Sequence, residues 1–172
     1  MADQLVLISV PYTGTNFTLD LFGRIGYAAV PLNKPAAGKV IYQGHMTSHN
    51  QVRFACEMAA SRPLVIPLRH PFRACESARR RGTSVDAILA AYRTLWDVFM
   101  PMRPYLLPVD SVRRDSYLGG FRQRWPALVT DWGVVRSLSG TFDMSLDGYT
   151  PTEPEAELVA ELADLLDPIY GV

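Results

Sequence analysis

Three observations predict an α/β fold, a three-layer sandwich with helices on both faces of a mainly parallel central sheet. Residues 4–10 (QLVLISV) form an almost unbroken apolar, β-branched run, the pattern of a strand buried on both faces. Strand-like and helix-like stretches then alternate along the chain, as βαβ units require. The chain has 172 residues, 48% hydrophobic and 20% charged, enough apolar material for one core and too little length for two ordinary domains. Residues 1–172 therefore read as a single domain.

The elements follow in order. The first strand stops at Pro11 and passes through Tyr12-Thr13-Gly14-Thr15. A helix over residues 16–25 comes next, with Phe17, Leu21, Phe22 and Ile25 on one face and Gly26 near its end. This is a P-loop-like strand, loop and helix at the N-terminus. The Pro- and Gly-rich stretch 31–38 reads as a surface loop before a second strand over 40–43. Ser48 or Asn50 caps a helix reaching residue 60, and Pro63 precedes a third strand over 64–68. Arg69-His70-Pro71 breaks that strand, and Pro71 suits the first turn of a helix that ends at Gly82.

Thr83 or Ser84 caps the most periodic helix. Its Val85, Ile88, Leu89, Tyr92, Leu95, Trp96 and Phe99 keep the helical period as far as Pro101. Residues 105–109 read as a fourth strand despite Pro108. The signal weakens over 111–149 into short helices and loops. Thr152-Glu153-Pro154-Glu155 is a capping-box pattern, opening one C-terminal helix striped by Leu158, Leu162, Leu165, Leu166 and Ile169.

Composition removes several function classes. Seventeen basic residues balance seventeen acidic ones, so the net charge argues for neither a nucleic-acid nor a membrane-surface partner. Fifteen of the seventeen cations are arginines, which suits anion binding but is better explained by codon usage. Cys56 and Cys75 stand apart, with neither metal-ligand spacing nor the density of a disulfide scaffold. No apolar run approaches the roughly 20 residues of a membrane span, and the N-terminus carries no leader pattern. A soluble cytoplasmic protein is expected.

In a parallel sheet of this kind ligands bind outside the carboxyl ends of the strands. Three segments qualify: residues 11–16, 44–49 and 69–77. In the first, Gly14 allows close backbone approach to an anion. The amides of Thr15, Asn16 and Phe17 open a helix, and Thr13 and Thr15 add hydroxyls. Alone, this is equally an ordinary βα turn with a threonine cap. Neither G-x-x-x-x-G-K-[ST] nor G-x-G-x-x-G occurs in the chain. In the third segment, Arg69 at a strand end and Ser77 on the following helix can reach one phosphate. Singly, they are a surface salt bridge and a helix serine.

Taken together the segments resemble the sulfotransferases that use 3′-phosphoadenosine 5′-phosphosulfate. The phosphosulfate loop of that family, P-[KR]-[ST]-G-[ST]-[TN], reads here Pro11-Tyr12-Thr13-Gly14-Thr15-Asn16. The 3′-phosphate motif, R-x-P-x-x-x-x-x-S, reads Arg69-His70-Pro71-Phe72-Arg73-Ala74-Cys75-Glu76-Ser77. The resemblance covers the first half of the chain. It implies transfer of a sulfuryl group to a hydroxyl or amine of a small-molecule or glycan acceptor, with the nucleotide as co-substrate and no metal. Tyr12, Thr13, Gly14, Thr15, Asn16, Arg69 and Ser77 would bind the nucleotide. His45, just past the second strand, would be the general base, its ordinary pKa lying near neutrality. His49 is a rival, and His70 a more distant one.

The chain departs from the family in two respects. Tyr12 stands where a loop cation stabilises the leaving phosphate, with Arg73, Arg113 and Arg114 as possible substitutes. The Gly- and basic-rich C-terminal loop of the family has no match. Arg79-Arg80-Arg81 reads as a solvated helix end, and Trp96, Trp125 and Trp132 as core or acceptor-pocket walls. Two alternatives stay open: a non-catalytic nucleotide- or phosphate-binding module, and a P-loop phosphotransferase. The latter lacks a Walker lysine and has only Asp110 as a strand-end carboxylate.

Overall fold

The computed structural model describes residues 4–111, 114–129 and 148–171. Five strands form one sheet: β1 (Gln4–Ser9), β2 (Ala28–Pro31), β3 (Val40–His45), β4 (Leu64–Leu68) and β5 (Tyr105–Pro108). All neighbours pair in parallel, in the order β2-β3-β1-β4-β5. The helices are α1 (Thr15–Gly23), α2 (His49–Ala59), α3 (Pro71–Arg80), α4 (Val85–Thr94), α5 (Arg114–Arg124), α6 (Glu153–Glu161) and α7 (Ala163–Tyr170).

The layers follow from the two-residue period of β1. Leu5 and Leu7 face a core shared with Phe17, Leu21 and Phe22 of α1 and Leu118 and Phe121 of α5. Val6 and Ile8 face the opposite core, built with Ala74 and Ala78 of α3, Ile88 and Tyr92 of α4, and Leu158, Leu165 and Ile169 of α6 and α7. The fold is the α/β three-layer sandwich with a parallel central sheet.

Four expectations are corrected. A fifth strand, β2, lies at the sheet edge over Ala28–Pro31, just ahead of the 31–38 loop, where the sequence shows no strand pattern. Its four residues are mostly exposed and carry no alternation, and Pro31 is tolerated because an edge strand has an unpaired side. The long helix before Pro101 is α4 followed by a π-helical turn (Leu95–Phe99) and a short 3-10 turn (Met100–Met102). The C-terminal helix is two helices broken at Leu162. The stripe of Leu158, Leu162, Leu165, Leu166 and Ile169 stays buried across the break, so periodicity does not reveal it. The helix after β1 runs Thr15–Gly23 rather than 16–25.

Of the caps left open, Ser48 begins α2, its hydroxyl accepting from the Gln51 amide. Cys75 is buried and Cys56 half-buried, both free thiols. Trp125 is core, its indole N–H donating to the Tyr27 hydroxyl at 3.0 Å, whereas Trp132 lies outside the described residues. No helix among the described residues is long and apolar enough to cross a membrane.

Strand order determines where a ligand can sit. From β1 the chain moves to β2 and β3 on one side and then to β4 on the other. The connections therefore diverge at the carboxyl end of β1, opening a crevice between them.

Candidate functional site

The crevice is a cavity of about 500 Å³. One wall is the loop and first turn of α1, with Tyr12, Gly14, Thr15 and Asn16; the other carries His45, Arg69, Ser77 and Arg81. Seven of the eight residues proposed from the sequence line it. The exception is Thr13, which is fully buried and donates its hydroxyl to the Val10 carbonyl at 2.6 Å. Its hydroxyl braces the turn and is not available to an anion.

The loop conformation has clear physical causes. Tyr12 adopts φ 66°, unusual for a residue with a Cβ, and Gly14 adopts φ 92°. A Cβ at Gly14 would also lie 2.8 Å from a methyl of Val109, just beyond β5. Glycine is thus required by backbone and packing together, quite apart from any ligand. Beyond it α1 begins, directing its first-turn amides and the positive end of its dipole toward the cavity wall.

Arg69 follows β4 and is largely buried. Its Nη1 donates to Ser77 Oγ at 2.9 Å and to the Tyr12 carbonyl at 3.4 Å, so the two motif halves are in direct contact. Its Nε is buried and has no hydrogen-bond partner among the described residues, lying 3.8 Å from Asp110 Oδ2. Asp110, just past β5, accepts from the His70 amide at 3.1 Å and the Tyr170 hydroxyl at 2.8 Å, and Arg73 Nε lies 3.8 Å away. The carboxylate holds Arg69 from behind. Arg73 is committed there, so it does not replace the loop cation. Arg113 and the Arg114 side chain lie outside the described residues.

His45 ends β3, in register with Ser9 at the end of β1. His45 Nδ1 lies 3.0 Å from Ser9 Oγ, which lies 2.7 Å from Thr15 Oγ1. A chain of three polar side chains therefore joins the imidazole to the loop. The His45 amide donates to Gln51 Oε1 at 2.6 Å, tying the residue to α2. Burial holds its pKa below 6.5, outweighing a hydrogen bond to the Ser9 backbone that raises it. The ring is thus neutral near pH 7, and Nε2 is the nitrogen left to act.

The rival histidines are placed differently. His49 is the exposed first residue of α2 and lines no part of the cavity. His70 caps α3, accepting from the Phe72 amide, and burial with the Arg73 charge brings its pKa to about 4.

Two site residues escaped the sequence reading. The Arg79-Arg80-Arg81 run is not one solvated face. Arg79 pairs with Glu155 at 2.8 Å and Arg80 with Glu76 at 2.5 Å, while Arg81 lines the cavity with its guanidinium 5.2 Å from the centre of the Tyr12 ring. The usable signal is its spacing, one helical turn after Ser77. Ser9 is the other. As the one polar residue ending an apolar strand it is visible in the sequence, but its pairing with His45 depends on strand register. Compared with known proteins, the chain matches no family model, no curated protein and no solved structure.

Proposed function

We propose that this protein transfers a sulfuryl group from 3′-phosphoadenosine 5′-phosphosulfate to an acceptor hydroxyl, in the cytoplasm, where its two free thiols would stay reduced. One observation carries the reading: the loop after β1 and the Arg69–Ser77 pair, distant in sequence, line one cavity with His45 beside them.

In this reading the amides of Thr15 and Asn16 hold the phosphosulfate with the Thr15 hydroxyl. Arg69 and Ser77 hold the 3′-phosphate. The residues suit a dianion: Arg69 Nη1 reaches Ser77 at the cavity wall, Arg81 adds a second guanidinium, and none of the described residues lining the cavity is a carboxylate. His45 Nε2 takes the proton of the acceptor hydroxyl as its oxygen attacks sulfur. The bond from sulfur to the 5′-phosphate oxygen breaks, and adenosine 3′,5′-bisphosphate leaves. With Nδ1–H donated to Ser9, Ser9 donates to Thr15, whose hydroxyl points its proton at the anion. The same order of donors keeps the His45 proton on Nδ1, so Nε2 is the basic nitrogen.

A non-catalytic nucleotide-binding module is the second reading, favoured by Tyr12 at the cation position of the loop. The phosphotransferase alternative gains nothing from Asp110, whose carboxylate is enclosed by Arg69, Arg73, Tyr170 and the His70 amide. Incubation with phosphosulfate carrying ³⁵S and a panel of hydroxyl acceptors separates them. Labelled product that requires His45 supports the transferase. Nucleotide binding without product supports the module, and absence of binding refutes both.

A further inference from the structure

A second cavity, about 330 Å³, lies between the β2–β3 connection and α2, and His45 lines it as well as the crevice. That size is at the lower end of the range for small-molecule sites, about 300–1,000 Å³. One residue therefore lines two compartments, one of which also holds the loop after β1.

The chemistry of the second compartment is distinctive. It presents four side-chain amides, Asn33, Gln43, Asn50 and Gln51, together with the Ser48 hydroxyl. Apart from His45, none of the described residues in its lining carries an ionisable side chain. Lys34 and Arg62 lie beyond it, in an adjoining cavity that shares Leu32, Asn33 and Phe54. Gln51 Oε1 is engaged by the His45 amide, which leaves its NH₂ to donate. Gly44 completes the wall: a Cβ there would lie 2.3 Å from Leu32 and 2.9 Å from Gln51 Oε1.

Such a lining discriminates by desolvation. An apolar alcohol or phenol would strip water from the amides and return no hydrogen bonds, leaving each of those groups unsatisfied. An ionised acceptor would find no counter-charge in the pocket itself. A neutral molecule bearing several hydroxyls satisfies the amides while resting its carbon skeleton on Leu32 and Phe54.

We infer that this cavity is the acceptor site and that it takes the uncharged, polyhydroxylated ring of a saccharide, one hydroxyl placed at His45. Its role as acceptor site rests on the sulfuryl-transfer reading; its preference for neutral polyols does not.

The test follows the Asn and Gln side-chain amide signals of ¹⁵N-labelled protein by NMR. Methyl α-glucopyranoside and 4-nitrophenol are titrated, each with and without adenosine 3′,5′-bisphosphate. The glucoside should shift Asn33, Gln43, Asn50 and Gln51 saturably. Asn33→Ala and Asn50→Ala should each weaken it about fivefold, the loss of one neutral hydrogen bond. Both residues are exposed, so the variants should melt as the wild type does. The inference is overturned if the glucoside leaves those amides unmoved, if 4-nitrophenol shifts them at lower concentration, or if both variants bind the glucoside normally. Binding of glucoside without binding of the bisphosphate would support the saccharide pocket and refute sulfuryl transfer.

Discussion

His45 is asked to be neutral, oriented and accessible at once, and each demand has a separate source. Burial disfavours its charged form, Ser9 holds Nδ1, and the residue lines both cavities. His45→Ala should therefore lower turnover by about 10²–10⁴-fold while nucleotide affinity stays within about twofold of wild type, as kinetics and calorimetry would show. Because the base works neutral and its pKa is depressed, the acid limb of kcat/KM should lie below pH 6.5. A limb above that value would contradict the assignment. Ser9→Ala should reduce turnover about fivefold through lost orientation.

Arg69→Ala should cost roughly 2–5 kcal/mol of nucleotide affinity. It should also cost about 1–3 kcal/mol of stability, because Asp110 loses one of its two cations. Arg81 is the exposed guanidinium on the cavity wall, so Arg81→Ala should weaken nucleotide binding in titration calorimetry while leaving the melting temperature nearly unchanged. Tyr12→Lys, which restores a loop cation, should raise turnover if Arg81 leaves the transferring group short of positive charge. Most of the residues that line the crevice were visible as strand-end and helix-start residues. Thr13 stands apart from the crevice because its hydroxyl finds a backbone carbonyl three residues back, a local bond no spacing rule forecasts.

At the scale of elements, α3 is anchored to α6 by one ionic cluster. Arg79 reaches Glu155, which also accepts from the Tyr149 hydroxyl at 2.7 Å and the Thr152 amide at 2.6 Å. Burial alone would raise the Glu155 pKa, but Arg79, Thr152 and Tyr149 together hold it at about 2. A depressed carboxylate stabilises the fold above its unfolded value near 4.5, and that contribution fades as pH falls from there toward 2. Glu155→Gln should lower stability by roughly 2 kcal/mol at pH 7, with the difference shrinking below pH 4 in urea titrations. A constant difference across that window would refute the ion pair. The capping box at Thr152 was readable because it is local. The partner on α3 was not, since nothing in sequence sets which arginine of three turns toward α6. The edge strand β2 failed for a related reason: an exposed four-residue strand is defined by its neighbour β3, not by its own pattern.

The molecule as a whole links its C-terminus to the crevice. Tyr170 of α7 donates to Asp110, Ser111 donates to the Ile169 carbonyl at 2.5 Å, and Asp110 stands behind Arg69. The sheet order puts β1 between β3 and β4, which is why a serine, a histidine and an arginine from three segments meet at one end. The α/β class and most elements were legible because buried strands and amphipathic helices declare themselves by period. The convergence on one cavity was not, because it depends on strand order. That convergence is tested most directly by thermal denaturation with adenosine 3′,5′-bisphosphate or AMP, on wild type and Arg69→Ala. The bisphosphate should stabilise the wild type by about 2.7 kcal/mol at 100 times its dissociation constant. AMP should do clearly less at equal concentration, and Arg69→Ala should erase the difference. Equal shifts with the two nucleotides on the wild type would contradict a 3′-phosphate site at Arg69 and Ser77.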